Sequence, residues 1–209
     1  MFKQIVTDLK MFQIFDYLRH LPRIFVWIFS GFSGIAPPPI KRLIIKCYLK
    51  KYKLSSFIET GILAGDTLAY ISRNSKIQCQ AIELSKAYFL KAKQRFLSFA
   101  NVKIYFGDSG VVLPELVKKL DKPTLFWLDG HFSSGDTAKG LQNTPISQEL
   151  DSILRSPIRG HVILIDDIRH FRGAEDYPHL HELLITLNKQ IGIDIEISTD
   201  ILRLTPKKN

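Results

Sequence analysis

The pattern of apolar and polar positions divides the chain in two. Up to residue 54 the spacing is helical. Residues 24–40, IFVWIFSGFSGIAPPPI, hold no charged side chain, and 40–54, IKRLIIKCYLKKYKL, set apolar residues at helical intervals beside a basic face. Pro37, Pro38 and Pro39 separate the two runs. From Ser55 onward strand-like and helix-like stretches alternate. The pattern predicts strands over 55–61, 76–84, 101–108, 124–131 and 161–167. Helices are predicted over 66–74, 85–99, 111–120, 147–156 and 178–191, with Ser85 placed to cap the second of them. Residues 193–206 alternate around Thr199–Asp200 and read as a closing hairpin.

Repeated strand–helix units build a mostly parallel sheet covered by helices on both faces. The expected fold is therefore α/β: a Rossmann-like, doubly wound sheet of seven strands ending in an antiparallel hairpin. An N-terminal helical segment, 1–54, precedes this domain, 55–209. In such sheets ligands bind beyond the carboxyl ends of the strands. Five predicted strands end there in acids: Glu59, Glu83, Asp108, Asp129 and Asp166.

Composition narrows the picture. At 209 residues, with 45% hydrophobic and 23% charged side chains, the chain suits one compact, soluble, cytoplasmic domain with a sizeable core. The net charge of +9 is spread along the chain, and no zinc-finger, RNP-like or helix-turn-helix pattern accompanies it, so no specific nucleic-acid partner is expected. Cys47 and Cys79 lie far apart without metal-ligand spacing and read as reduced, buried thiols. The uncharged N-terminal run breaks at the prolines after about 13 residues, short of the ~20 that a membrane span needs. It reads as a helix packed on the domain or on a second copy in a homodimer. The other reading is a peripheral membrane contact through its aromatic and basic residues.

The five acids call for a common ligand, because each carboxylate at a buried strand end needs water, hydrogen bonds or a cation. In IETGILAGDT, Gly61 and Gly65 bracket a turn that a ligand can approach closely, with Thr60 and Thr67 alongside. The phosphate-loop and dinucleotide glycine patterns are absent. Glu59 at this turn disfavours a polyanion and suits an ammonium group. Glu83, about 20 residues on, is placed to accept hydrogen bonds from both ribose hydroxyls. In GDSG, Asp108 can meet an adenine amino group while Ser109 starts the next helix. Ammonium, ribose and adenine together describe S-adenosylmethionine.

With IETGILAGDT, AIELS, GDSG, LFWLDGH and ILIDD in this order, residues 55–206 resemble a class I S-adenosylmethionine-dependent methyltransferase. The closest resemblance is to the macrocin O-methyltransferase-like branch of small-molecule enzymes. The glycine turn departs from the wider pattern of three glycines, with Ile62 and Ala64 nearby. The resemblance implies a divalent metal, Mg²⁺, held by Asp129 with the pair Asp166 and Asp167. Such a metal eases loss of the acceptor hydroxyl's proton, with Asp129 or His131 to take it. His170, close after the pair, could be a base, a metal ligand or a helix cap. The Gly/Ser/Thr-rich connection 129–150 reads as a substrate-shaping lid, with His131, Thr137 and Glu149 lining it. His179 and His181 read as surface residues. The expected acceptor is a hydroxyl of a small molecule such as a sugar or polyol. The competing readings are a catalytically silent scaffold of the same fold and a metal-dependent phosphoesterase using the three aspartates.

Overall fold

The computed structural model describes residues 17–130, 144–174 and 176–207. Helix α1 is described over 17–29 and α2 is Pro38–Lys51. Strand and helix then alternate: β1 Ser56–Thr60, α3 Asp66–Ile71, β2 Gln78–Glu83, α4 Lys86–Arg95, β3 Val102–Phe106, α5 Ser109–Val117, β4 Leu125–Leu128, α6 Ile146–Leu154 and β5 Val162–Ile165. A short 3-10 turn, Ile168–His170, leads to α7 Leu180–Asn188, and β6 Ile193–Ser198 with β7 Ile201–Pro206 closes the chain. The seven strands form one sheet in the order β3-β2-β1-β4-β5-β7-β6. The first five run parallel, and β7 lies antiparallel between β5 and β6. This is the fold class that the alternating pattern predicts.

Period-two alternation sorts the strand residues into two cores. Phe57, Cys79, Ala81, Leu125, Trp127, Val162 and Leu164 pack with Ile45 and Leu49 of α2, Leu68 of α3 and Ala92 of α4. Their neighbours Ile58, Ile82, Phe126, Leu128, Ile163 and Ile165 pack with α5, α6 and α7 on the other face. Each central strand is covered on both sides, which is why β4 and β5 read as continuous apolar runs. Helix α2 buries Pro39, Arg42, Ile45 and Leu49 and so belongs to the same core as the sheet.

Two expectations need correction. Cys47 is exposed, because it stands off the buried face of α2, while Cys79 is buried with its thiol pushed up to about 12 by burial. Ser85 occupies the cap position of α4 without a capping bond, and its own N–H instead donates to Glu83 Oε1 at 2.7 Å. Helix α1 is only partly covered: Ile24 and Trp27 are half-buried, while Phe25, Val26 and Phe29 are 53%, 70% and 85% exposed. Among the described residues no helix is long and apolar enough to cross a membrane.

Candidate active site

The strand order reverses between β1 and β4. The chain leaving β1 turns to α3 on one face, and the chain leaving β4 proceeds to α6 on the other. The two exits part and leave a crevice at the carboxyl edge, where such sheets bind ligands. Pairing continues one residue past the strands, with Asp129 N–H donating to Thr60 O at 3.2 Å and Asp166 N–H to Leu128 O at 3.0 Å. Alternation therefore gives Glu59, Glu83, Asp129 and Asp166 the parity of the face that α2 and α3 cover.

The glycine turn is tightly built. Gly61 has φ +76°, and a Cβ there would lie 2.5 Å from the backbone oxygen of Asp129. Thr60 is fully buried, and its hydroxyl accepts from Asp129 N–H at 3.3 Å. Gly65, also at φ +76°, precedes α3, in which Thr67 is half-buried. Glu83 Oε2 accepts from the N–H groups of Ile62 and Leu63, both at 3.0 Å. Glu83 thus shapes the turn, and a carboxylate's roughly four acceptor positions leave room for a ligand hydroxyl. Asp108 caps α5 by accepting from Gly110 N–H at 2.9 Å, and Ser109 begins that helix as expected.

Glu59 is 2% exposed, and its Oε2 is buried without a hydrogen-bond partner among the described residues. Burial, and after it the charge of Asp129, pushes its pKa well above the ordinary range, against the pull of Arg42. An unmet carboxylate oxygen at a glycine turn is a place for a cationic donor.

Beside it, Asp129, Asp166 and Asp167 bring carboxylate oxygens within 4.8 Å of one another. Asp166 arrives by strand parity. Asp167, next along, would point to the other face, but its φ of +56° turns the chain. Asp167 N–H donates to Asp166 Oδ1 at 2.9 Å. Lys41, from the first turn of α2, reaches Asp166 Oδ2 at 2.6 Å and Asp167 Oδ1 at 3.1 Å. Arg169 pairs with Asp167 Oδ1 at 2.7 Å and also with Asp200. Burial pushes the Asp166 carboxyl up to about 6, with Lys41 opposing and Asp167 adding to the rise. Burial works to lower the Lys41 pKa, yet Asp166, Asp167 and Asp129 together hold it above its usual value. Hard carboxylate oxygens grouped this way suit Mg²⁺, which takes oxygen ligands at about 2.0–2.1 Å.

Glu149 is 1% exposed and lines a small cavity with Asp166, Gly130 and Tyr177. His170 is exposed, its ring 5.9 Å from that of Tyr177, and it is not among the acids that converge. His179 Nδ1 accepts from His181 N–H at 3.3 Å at the start of α7. His131, Thr137 and most of the expected lid lie outside the described residues. Four residues of the site were not anticipated: Lys41 and Arg42 from α2, Arg169, and Asp200 in the hairpin turn. In the sequence Lys41 and Arg42 are only two of the charges on the basic face of 40–54.

No family model and no curated protein matches the chain. Solved structures do. The O-methyltransferase TomG from Streptomyces achromogenes, involved in tomaymycin synthesis and solved with SAM, is 14% identical with a TM-score of 0.61, over 84% of this chain and 82% of that one. An O-methyltransferase from Bacillus cereus in complex with SAH is 13% identical with a TM-score of 0.60, covering 87% and 88%. The SAH-bound methyltransferase PaMTH1 of Podospora anserina is 16% identical with a TM-score of 0.59, covering 83% and 80%. The chain therefore has the seven-stranded fold that these methyltransferases share.

Proposed function

We propose that this chain is an S-adenosylmethionine-dependent O-methyltransferase acting on a hydroxyl of a small molecule, sugar- or polyol-like, with Mg²⁺ held by Asp129, Asp166 and Asp167. The observation that carries the reading is the buried, unmet oxygen of Glu59 at the Gly61 turn. It supports a ligand with an ammonium group, and the ammonium of the methionine moiety answers it. Glu83 and Asp108 would hold the ribose and the adenine.

When bound, the cofactor would supply an electrophilic methyl group to the acceptor oxygen, with S-adenosylhomocysteine and the hydroxyl proton as the remaining products. Mg²⁺, when bound, would orient the acceptor hydroxyl and ease loss of that proton. Asp129 stands at the crevice to receive it, with His131 two residues on as the other candidate. Asp166 and Asp167 are assigned to the cation and not to the acceptor's proton, with Lys41 and Arg169 paired to them.

A catalytically silent binding protein of the same fold is the second reading, favoured by one observation: Lys41 already fills the gap between Asp166 and Asp167. Calorimetric titration with S-adenosylhomocysteine, with and without Mg²⁺, tests the cofactor. Mass spectrometry after incubation with S-adenosylmethionine and hydroxylated acceptors tests the transfer. Absence of binding sinks the enzyme reading and moves the scaffold reading ahead, and binding without any methylated product also favours the second.

A further inference from the structure

We propose that Lys41 is a built-in occupant of the aspartate cluster, so that a divalent cation enters only by displacing its ammonium group. The inference rests on reading Asp129, Asp166 and Asp167 as a cation site, and it assigns to α2 a role in setting that site's metal affinity.

The oxygens are the argument. Asp166 Oδ1 accepts from Asp167 N–H, and its Oδ2 accepts from Lys41 at 2.6 Å. Asp167 Oδ1 accepts from Lys41 at 3.1 Å and from Arg169 at 2.7 Å. Two of the three carboxylates that would bind a metal, those of Asp166 and Asp167, are ones that Lys41 already engages. An ammonium group and a divalent ion cannot share them, because two cations in one partly buried space repel strongly. The Lys41 side chain is only 15% exposed, with its ammonium group against Asp166 and Asp167.

Its delivery is also fixed. Lys41 stands in the first turn of a helix whose Pro39, Arg42, Ile45 and Leu49 are buried. The next residue, Arg42, lies toward the other half of the site, with Nη2 4.0 Å from Asp66 Oδ2 and its charge acting on Glu59. One helical turn thus presents a cation to each half of the crevice. Three carboxylates would otherwise repel one another without a metal. Lys41 lets the cluster exist folded and metal-free, and it weakens whatever metal follows.

The test uses Mn²⁺ as probe, followed by the loss of its free-ion electron paramagnetic resonance signal, on the full chain and on Lys41→Met and Lys41→Arg. The expected result is that Lys41→Met binds Mn²⁺ at least about tenfold more tightly than the unaltered protein, the factor that losing a charged hydrogen-bond competitor implies. Lys41→Arg, which keeps the charge, should bind as weakly as the unaltered protein. Mg²⁺ should raise the unfolding midpoint of Lys41→Met more than that of the unaltered protein. Adding Asp166→Asn to Lys41→Met should erase the gain. Should Lys41→Met fail to fold, Lys41→Gln carries the same comparison. Equal Mn²⁺ affinity across the variants, binding by none of them, or a gain that survives Asp166→Asn overturns the proposal. S-adenosylhomocysteine titrated into the same samples keeps the cofactor reading separate: its binding can persist when the Lys41 proposal falls, and can fail when the metal result stands.

Discussion

Gly61 and Asp129 meet backbone to backbone: a Cβ on Gly61 would lie 2.5 Å from the Asp129 carbonyl oxygen and 3.0 Å from its carbonyl carbon. The contact closes the floor of the crevice and sets where Asp129 emerges. Neither backbone can give way cheaply, since Gly61 N–H also donates to Ile82 O at 3.0 Å and Asp129 N–H to Thr60 O at 3.2 Å. The positive φ of Gly61 adds strain for any other residue. Gly61→Ala is expected to cost at least about 2 kcal/mol of stability and to weaken S-adenosylhomocysteine binding by about tenfold or more, which is about 1.4 kcal/mol. Urea denaturation and calorimetry read the two effects. A variant with unchanged midpoint and affinity would show that the close contact does not shape the site.

Glu83 offers a test of turn-building against ligand-holding. It accepts three backbone N–H groups, from Ile62, Leu63 and Ser85. Glu83→Ala leaves these amides without their acceptor and should destabilise the protein by roughly 2–4 kcal/mol. Hydrogen exchange should quicken at Ile62 and Leu63 before any ligand is added. If exchange there is unaffected while S-adenosylhomocysteine binding falls, Glu83 serves the ligand alone.

The strands and their acids were legible because β-structure writes its periodicity locally. The apolar runs ending at Leu128 and Ile165 place Asp129 and Asp166 one step beyond, and parity then decides their face. Lys41 was not legible. It lies 125 residues from Asp166, and its approach depends on where α2 docks, which no local spacing encodes. Asp167 reaches the cluster through a left-handed backbone conformation that an aspartate permits but does not announce. The Thr199–Asp200 turn was readable as a turn. Its grip on Arg169, by Asp200 Oδ1 accepting the backbone N–H at 2.9 Å, follows from β7 running antiparallel beside β5, which returns that turn to the rim.

Asp166 makes stability depend on pH. Its carboxyl titrates at about 6 in the folded protein, raised from 3.8 chiefly by burial. Between those values the folded chain keeps a proton that the unfolded chain has lost. The contribution is full below pH ~4 and is lost as pH rises through about 6. At about 1.36 kcal/mol per pH unit the loss approaches roughly 3 kcal/mol. Asp166→Asn removes it, so the variant should gain on the unaltered protein as pH rises from 4 to 7 in EDTA. Parallel stability curves for the two would place the titration elsewhere.

Glu59 gives the sharpest link between burial and ligand. Its pKa is raised well above the ordinary carboxylate range, first by burial and then by Asp129. The sign follows as for Asp166: the empty protein gains stability from Glu59 below the ordinary carboxylate range and loses it as pH rises through the raised value. Glu59→Gln should therefore stabilise the empty protein at pH 8, by roughly 1–3 kcal/mol. The same change removes the partner of the ligand ammonium and should weaken S-adenosylhomocysteine binding by roughly 10- to 100-fold. Only the ionised carboxylate pairs with an ammonium, so binding to the unaltered protein should release whatever proton the raised pKa leaves on Glu59. The titration enthalpy should then vary with the ionisation enthalpy of the buffer, and in Glu59→Gln that dependence should shrink. Phosphate and Tris, which differ widely in that enthalpy, make the comparison. A buffer-independent enthalpy for the unaltered protein would mean either that Glu59 is already ionised or that it does not meet the ligand. The Glu59→Gln affinity separates these, since a carboxylate that does not meet the ligand leaves it unchanged.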